Sequence, residues 1–345
     1  MQTRIIQGED RKGIREAAQM LREGKLVAFP TETVYGLGAD ALNAQAVREI
    51  YLAKGRPSDN PMIVHIWDRK QLNALCMYVP EKAQALMDAY WPGPMTLVMP
   101  KKEIVPDATT GGLGTVAVRM PDHPVAHALL KEADVPVAAP SANLSGKPNP
   151  TDAAAVIEDL QGRVPAIIDG GPCRVGVEST VIDVTGEIPV ILRPGGVTRE
   201  MIERIVGETK VHRAVLNPLE SKEQAASPGM KYKHYAPKAK VRVIVGKHAA
   251  QRICACYDEA VREGKNPVIY SVEEERAAFG GRAFYPWGVM GEEETIAQHL
   301  FASLRHADEE GMDLVLCHGT DTHGMGLAVM NRLLRAAGFD IEEAD

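Results

Sequence analysis

Short apolar runs of strand length alternate with stretches whose apolar residues recur at helical spacing. In the first part of the chain, Asp10 can cap a helix reaching about Glu23, with Ile14, Ala17, Ala18 and Leu21 on one face. The run Leu26-Val27-Ala28-Phe29 reads as a buried strand that Pro30 ends. Residues 45–53 then place Val47, Ile50 and Tyr51 at helical spacing and carry the chain to Lys54-Gly55-Arg56-Pro57. Strand-like runs recur at 62–66, 96–99, 116–119, 136–139, 166–169, 178–183 and 190–193. Helical stretches fall near 68–76, 80–90, 124–132 and 152–160, and residues 109–115 read as a flexible Thr/Gly turn. Several strands follow one another without a helix between them, so a mixed sheet is expected rather than a purely parallel one.

The periodicity lapses at residues 208–239, which read as a linker. Beyond it strand and helix alternate more regularly: strands at 241–245, 268–270 and 313–317, helices to about Glu263, at 295–310 and at 326–337. That is the pattern of a small doubly wound domain. The division expected is 1–207, a linker at 208–239, and 240–345.

Three strand-to-loop junctions gather polar groups: 30–36, 139–145 and 193–196. Ligands of open α/β sheets collect at such ends. The first junction carries the hydroxyls of Thr31, Thr33 and Tyr35, the carboxylate of Glu32, and two glycines, Gly36 and Gly38. Lys54, Arg56, Arg119 and Arg193 supply cations suited to phosphates, carboxylates or both. An ordinary βα connection bearing a surface Lys and Arg is the plain alternative, and His65 in a strand is by itself usually structural. No Walker-type loop and no G-x-G-x-x-G follows the first strand, so a nucleotide site would be of another kind. Ser141 lacks the G-x-S-x-G surroundings of a hydrolase nucleophile. His318, Asp321 and His323 could be metal ligands but read better as a loop. The carboxylate triplets at 273–275, 292–294 and 308–310 read as solvated faces.

Composition narrows the classes. The chain has 345 residues, 45% apolar and 25% charged, enough for about two domains with substantial cores. A net charge of −7 argues against a general nucleic-acid binder. One run is locally basic: from Gln224 to Tyr257 there are seven Lys and Arg and no Asp or Glu, with His234 and Tyr235 inside it. The five cysteines match no disulfide framework or metal spacing and read as buried thiols. A charged N-terminus and the lack of any long apolar run make a cytoplasmic location, with no membrane partner, the expectation.

The segments PTETVYGLG at 30–38, KGRP at 54–57, PSAN at 140–143, LRPG at 192–195, and SPGM with HYAP between 227 and 237 resemble the threonylcarbamoyl-AMP synthases in their long form. The resemblance covers nearly the whole chain, with the motifs in order. It implies an α/β fold: a twisted mixed-sheet YrdC-like catalytic domain, an extended linker covering the active site, and a smaller doubly wound, Rossmann-like C-terminal domain. It implies that L-threonine, bicarbonate or CO2, and ATP give threonylcarbamoyl-AMP and pyrophosphate, for modification of an adenosine next to the tRNA anticodon. By the same resemblance, Lys54, Arg56, Ser141 and Asn143 form the phosphate-binding pattern, Lys54 and Arg56 being the catalytic pair. Asn60, Thr115, Asn149, Arg193 and His234 fall at ATP-contacting positions, with Asn149 where Ser is expected, and Tyr235 helps close the linker. Thr33, His65, Arg119 and Ser179, with the backbone of Ala139, hold threonine. Magnesium is expected to arrive with the ATP phosphates, with no dedicated metal site. The expected partners are the substrates and a downstream threonylcarbamoyl transferase, with tRNA as a further candidate contact. Two other readings remain: a non-catalytic module for double-stranded RNA or tRNA, and carbamoyl transfer to another acceptor.

Overall fold

The structure is a computed structural model that describes residues 1–55, 60–219, 225, 227 and 235–345. Two compact units emerge. The first comprises Met1–Ser145, Asn149–Val215 and Leu219–Lys231; the second comprises Gly146–Pro148, Leu216–Pro218 and Tyr232–Asp345. Residues 208–239 are thus shared between the units.

The strands of the first unit are, in chain order, β1 (Arg4–Gln7), β2 (Val27–Phe29), β3 (Gly36–Asp40), β4 (Ile63–His65), β5 (Met95–Pro100), β6 (Thr115–Arg119), β7 (Val137–Ala138), β8 (Ala166–Asp169), β9 (Thr180–Asp183), β10 (Val190–Arg193) and β11 (Lys210–Val211). They form one sheet in the order β1-β8-β2-β3-β7-β4-β6-β5-β9-β10-β11. The sheet is mixed, as expected: β4 and β6 are parallel, while β5 runs antiparallel to β6 and β10 antiparallel to β9. The sequence pattern did not indicate β1, β3, β11 or the Arg199–Val206 helix.

Local chemistry accounts for the helix starts. Asp10 accepts from the backbone N–H of Lys12 and Gly13, and Asn43 from those of Gln45 and Ala46. Asp152 and Thr198 cap the helices Ala153–Leu160 and Arg199–Val206 in the same way. The expected flexible turn at 109–115 is instead a short helix, Asp107–Thr110, followed by Gly111 and Gly112 at positive φ. Thr109 is buried and donates to the Ala41 carbonyl at 2.7 Å, which holds this segment to the end of β3.

The second unit has β12 (Lys240–Val245), β13 (Pro267–Ser271), β14 (Phe284–Pro286), β15 (Leu314–His318) and β16 (Ile341–Glu343), all parallel, in the order β14-β13-β15-β12-β16. Helices cover both faces. Ile244, Ile269 and Leu316 pack on the Ala249–Arg262 helix, while Tyr270, pointing the other way, donates to Ser303 of the Glu293–Glu309 helix. The Gly326–Ala337 helix is buried nearly all round, Arg332 and Arg335 included, and is not the one-sided amphipathic helix its apolar stripe suggests. Tyr235 belongs to this unit, where its buried ring lies 5.1 Å from that of Phe301.

Other expectations need correction here. Three cations of the basic run are paired with neighbours distant in sequence: Lys240 and Arg242 with Asp340, and Arg252 with Glu342. The acidic triplets are not simply solvated. Glu275 accepts from Ser271 and contacts His318 Nδ1 at 2.6 Å, while Asp308 accepts the backbone N–H of Lys238. His323 lies exposed beside Asp321. All five cysteines are free, four buried and Cys254 half-buried.

Candidate active site

The sheet of the first unit brings distant residues to one edge. His65 ends β4 and is the register partner of Arg119, which ends β6. Arg119 pairs in turn with Thr96 of β5, and Thr96 pairs with Val181 of β9, directly after Ser179 and Thr180. Arg193 ends β10, opposite Val181. The Ala139 N–H donates to the Ile63 carbonyl, which sets the loop after β7 beside β4. Side chains alternate along a strand, so Ile63 shares a face with His65, Ala117 with Arg119, and Val98 with Thr96. The apolar members of that face, Ile63, Val98, Ala117, Val181 and Leu192, form a cluster with Ala214 and Ala225. The first part of the segment beyond residue 207 therefore covers the apolar half of the face whose polar half carries these candidates.

The positions expected to hold threonine are all buried: Thr33, His65, Arg119, Ala139 and Ser179. Arg119 Nη1 donates to Thr33 Oγ1 at 2.9 Å and Nε to the Gly93 carbonyl at 3.3 Å. Thr33 Oγ1 also lies 2.9 Å from Thr31 Oγ1, which in turn donates to the Val34 carbonyl and so stiffens the loop. Ser179 Oγ lies 2.8 Å from Thr96 Oγ1. Arg193 Nη2 donates to the Ser179 carbonyl at 3.1 Å and to its Oγ at 3.3 Å. His65 has its imidazolium form suppressed, with the pKa pushed down to about 3, by burial first and then by the Arg119 charge. It is a neutral group whose Nδ1 lies 3.2 Å from the Ile63 carbonyl.

The phosphate-pattern residues meet on the loop after β7. Gly36 bridges to Ser141, the Ala142 N–H donates to the Tyr35 carbonyl, and the Leu37 N–H donates to that of Pro140. The first two polar junctions are therefore zipped together. Lys54, buried at the end of the Ala44–Lys54 helix, directs Nζ to the carbonyls of Ser141 at 2.5 Å and Asn143 at 2.6 Å, and to Asn143 Oδ1 at 3.2 Å. An ammonium has three N–H groups, and three protein oxygens accept them. In this geometry Lys54 fixes the Ser-x-Asn loop rather than projecting as a surface cation. Ser141 Oγ donates to Asn143 Oδ1 at 2.6 Å. Asn60 and Asn149 are both buried, and among the described residues the Asn60 amide oxygen and nitrogen and Asn149 Nδ2 have no hydrogen-bond partner. Such unfilled buried amides fit groups that meet a polar ligand. Thr115, half-buried, opens β6. Arg56 and His234 lie outside the described residues.

Gly195 makes the third junction possible. A Cβ there would overlap the Glu178 carbonyl, the Ser179 carbonyl carbon and the Thr180 nitrogen. Sequence reasoning did not assign two groups at the site. Thr96 is a lone hydroxyl in an apolar strand, a signal easily taken for core. Glu32 is a buried carboxylate whose Oε1 lies 2.7 Å from Arg119 Nη2. Among the described residues no cluster of three or more His, Cys, Asp or Glu side chains could hold a metal ion. No described helix is long and apolar enough to cross a membrane.

The first unit is a mixed sheet with a buried polar site at one strand edge, and the second is built on a parallel sheet. A family model described as "Telomere recombination" matches residues 19–195, and one described as "Threonylcarbamoyl-AMP synthase, C-terminal domain" matches residues 197–338. The threonylcarbamoyl-AMP synthase of Pyrococcus abyssi is 50% identical over 338 residues, 95% of each chain. That of Bacillus subtilis is 48% identical, covering 94% of this chain and 93% of the relative. The crystal structure of P. abyssi Sua5 complexed with L-threonine superposes with a TM-score of 0.93 at 48% identity, covering 99% of this chain and all of that one. The chain belongs to the threonylcarbamoyl-AMP synthase family.

Proposed function

We propose that this chain condenses L-threonine, bicarbonate or CO2, and ATP into L-threonylcarbamoyl-AMP and pyrophosphate, for threonylcarbamoyl modification of the adenosine next to the tRNA anticodon. The observation that carries the reading is the buried convergence of two guanidinium groups, Arg119 and Arg193, with the hydroxyls of Thr33, Thr96 and Ser179 at one sheet edge. Full-length relatives bearing this activity in their names, and one solved with L-threonine, support it.

In this reading Arg119 receives the threonine carboxylate, and Thr33 or Ser179 pairs with its hydroxyl. A site built to pair that hydroxyl leaves a buried group unfilled when valine enters, which disfavours valine. The threonine amine, once it has given up a proton, bonds to the carbon of bicarbonate with loss of water, or to CO2 with loss of a second proton, giving a carbamate; a carbamate oxygen then attacks the α-phosphorus of ATP, and the new P–O bond forms as the bond to pyrophosphate breaks. Both partners are anions, so the residues must screen repulsion and align them. Arg193 supplies charge on the nucleotide side, Asn60 and Asn149 supply unfilled amides, and Lys54 holds Ser141 and Asn143 in place. Hydroxyls and amides, rather than a carboxylate cage, suit magnesium that arrives already held by phosphates. The product passes to a threonylcarbamoyl transferase, and the enzyme works in the cytoplasm.

The test is pyrophosphate release by the purified chain with Mg–ATP. Release that requires both L-threonine and bicarbonate, and stops when a chelator removes magnesium, is the expected result. Release independent of threonine would overturn the reading. The RNA-module alternative is not favoured, since the chain carries a net charge of −7 and Lys240, Arg242 and Arg252 of the basic run pair with Asp340 and Glu342.

A further inference from the structure

We propose that Glu32 receives the α-ammonium group of the amino-acid substrate, beside Arg119, which receives its carboxylate. The inference rests on the reading that the chain binds L-threonine, and it adds a residue that discriminates amino acids from other carboxylates.

Glu32 is 2% exposed. Its backbone is anchored, since its carbonyl accepts the Val175 N–H at 2.8 Å and the flanking loop is held by Thr31. Its carboxylate is not satisfied: among the described residues, neither Oε1 nor Oε2 has a hydrogen-bond donor directed at it. The 2.7 Å contact with Arg119 Nη2 is an ion pair without alignment, because no N–H of that nitrogen points along it. Nor can the guanidinium turn freely to correct this, for Nη1 is held by Thr33 Oγ1 and Nε by the Gly93 carbonyl. His123 and Cys173 lie in the field of Glu32, yet neither hydrogen-bonds to it. Arg119 thus supplies charge to Glu32 but no well-aimed donor. A buried carboxylate whose lone pairs are unfilled is costly, and removal of that deficit by a ligand favours binding.

The missing complement is a compact group with several N–H donors, which an α-ammonium provides. An α-amino acid carries its carboxylate and ammonium on the same carbon. A guanidinium and a carboxylate 2.7 Å apart match that pair of opposite charges. Both the zwitterion and the Arg119–Glu32 pair are neutral overall, so no net charge is taken into the buried site.

The experiment is calorimetric titration of the full chain with L-threonine and with 2,3-dihydroxybutanoate, in which a hydroxyl replaces the ammonium. The wild type is expected to bind the analogue about 10- to 100-fold more weakly than threonine. Glu32→Gln is expected to lose a similar factor for threonine and little for the analogue, so that the two affinities converge. Equal weakening of both ligands would mean that Glu32 acts only through Arg119 and would overturn the proposal, as would unchanged threonine affinity. A wild type that bound no threonine would instead sink the functional reading itself. If Glu32→Gln does not fold, a structure of the wild type with threonine decides. An amino nitrogen within about 3 Å of a Glu32 oxygen supports the proposal, and one held wholly by other groups refutes it.

Discussion

His65 shows how a residue that sequence alone leaves ambiguous acquires a definite state. An unshielded imidazole titrates near 6.5, but burial and then Arg119 push this one down to about 3. The unfolded chain therefore takes up a proton between pH 6.5 and 3 that the folded chain refuses. The stability associated with neutral His65 is fully present above pH 6.5 and is lost as pH falls through that window, at up to about 1.4 kcal/mol per pH unit. Urea midpoints measured from pH 7.5 to 5 should fall more steeply for the wild type than for His65→Asn; parallel slopes would contradict the assignment. Lys54 illustrates a different limit of sequence reading. Its motif was legible, but its three acceptors lie on a loop far along the chain, with |i−j| of 89 to Asn143. Asn60 and Asn149 owe their unfilled amides to burial, which no local pattern encodes.

At the level of elements, most helices were readable because caps and apolar spacing agree with each other. The misses have physical causes. β3, Gly36–Asp40, contains two glycines and one large apolar residue, and forms because β2 and β7 flank it. β1 is an edge strand with one buried residue of four, and the Arg199–Val206 helix buries only Ile202, so neither leaves a strong apolar trace. The junction after β10 makes a prediction at this scale. Gly195 lies against the backbone of Glu178, Ser179 and Thr180, which no sequence pattern reveals. Gly195→Ala must push that backbone aside and displace Ser179 from Thr96 and Arg193. Steady-state kinetics should show KM for threonine raised at least about tenfold, consistent with loss of a charge-assisted hydrogen bond. An unchanged KM would show that Ser179 keeps its place.

For the whole molecule, the two units carry different chemistry. The first concentrates buried polar groups at one sheet edge. In the second, β16 brings Glu342, and the turn before it brings Asp340, against Lys240, Arg242 and Arg252 of the basic run. These pairs are partly exposed and contribute about 1 kcal/mol or less each. Replacing Lys240, Arg242 and Arg252 together by Gln should lower thermal stability modestly and leave any tRNA affinity unchanged in a salt-titrated binding assay. A large loss of tRNA binding would restore a nucleic-acid role to this surface.

The sequence by itself determined the alternation of elements, the mixed character of the first sheet, the parallel character of the second, and the motifs that place the chain in its family, because periodicity, caps and short motifs are local properties. Only the tertiary structure decided that Thr33 meets Arg119 across 86 residues, that Lys54 is buried against a loop, and that Lys240, Arg242 and Arg252 of the basic run are paired with carboxylates. It also left Glu32 without a hydrogen-bond donor among the described residues. Those outcomes depend on which strand ends are brought side by side, and on the low-dielectric surroundings that make each unfilled hydrogen bond count.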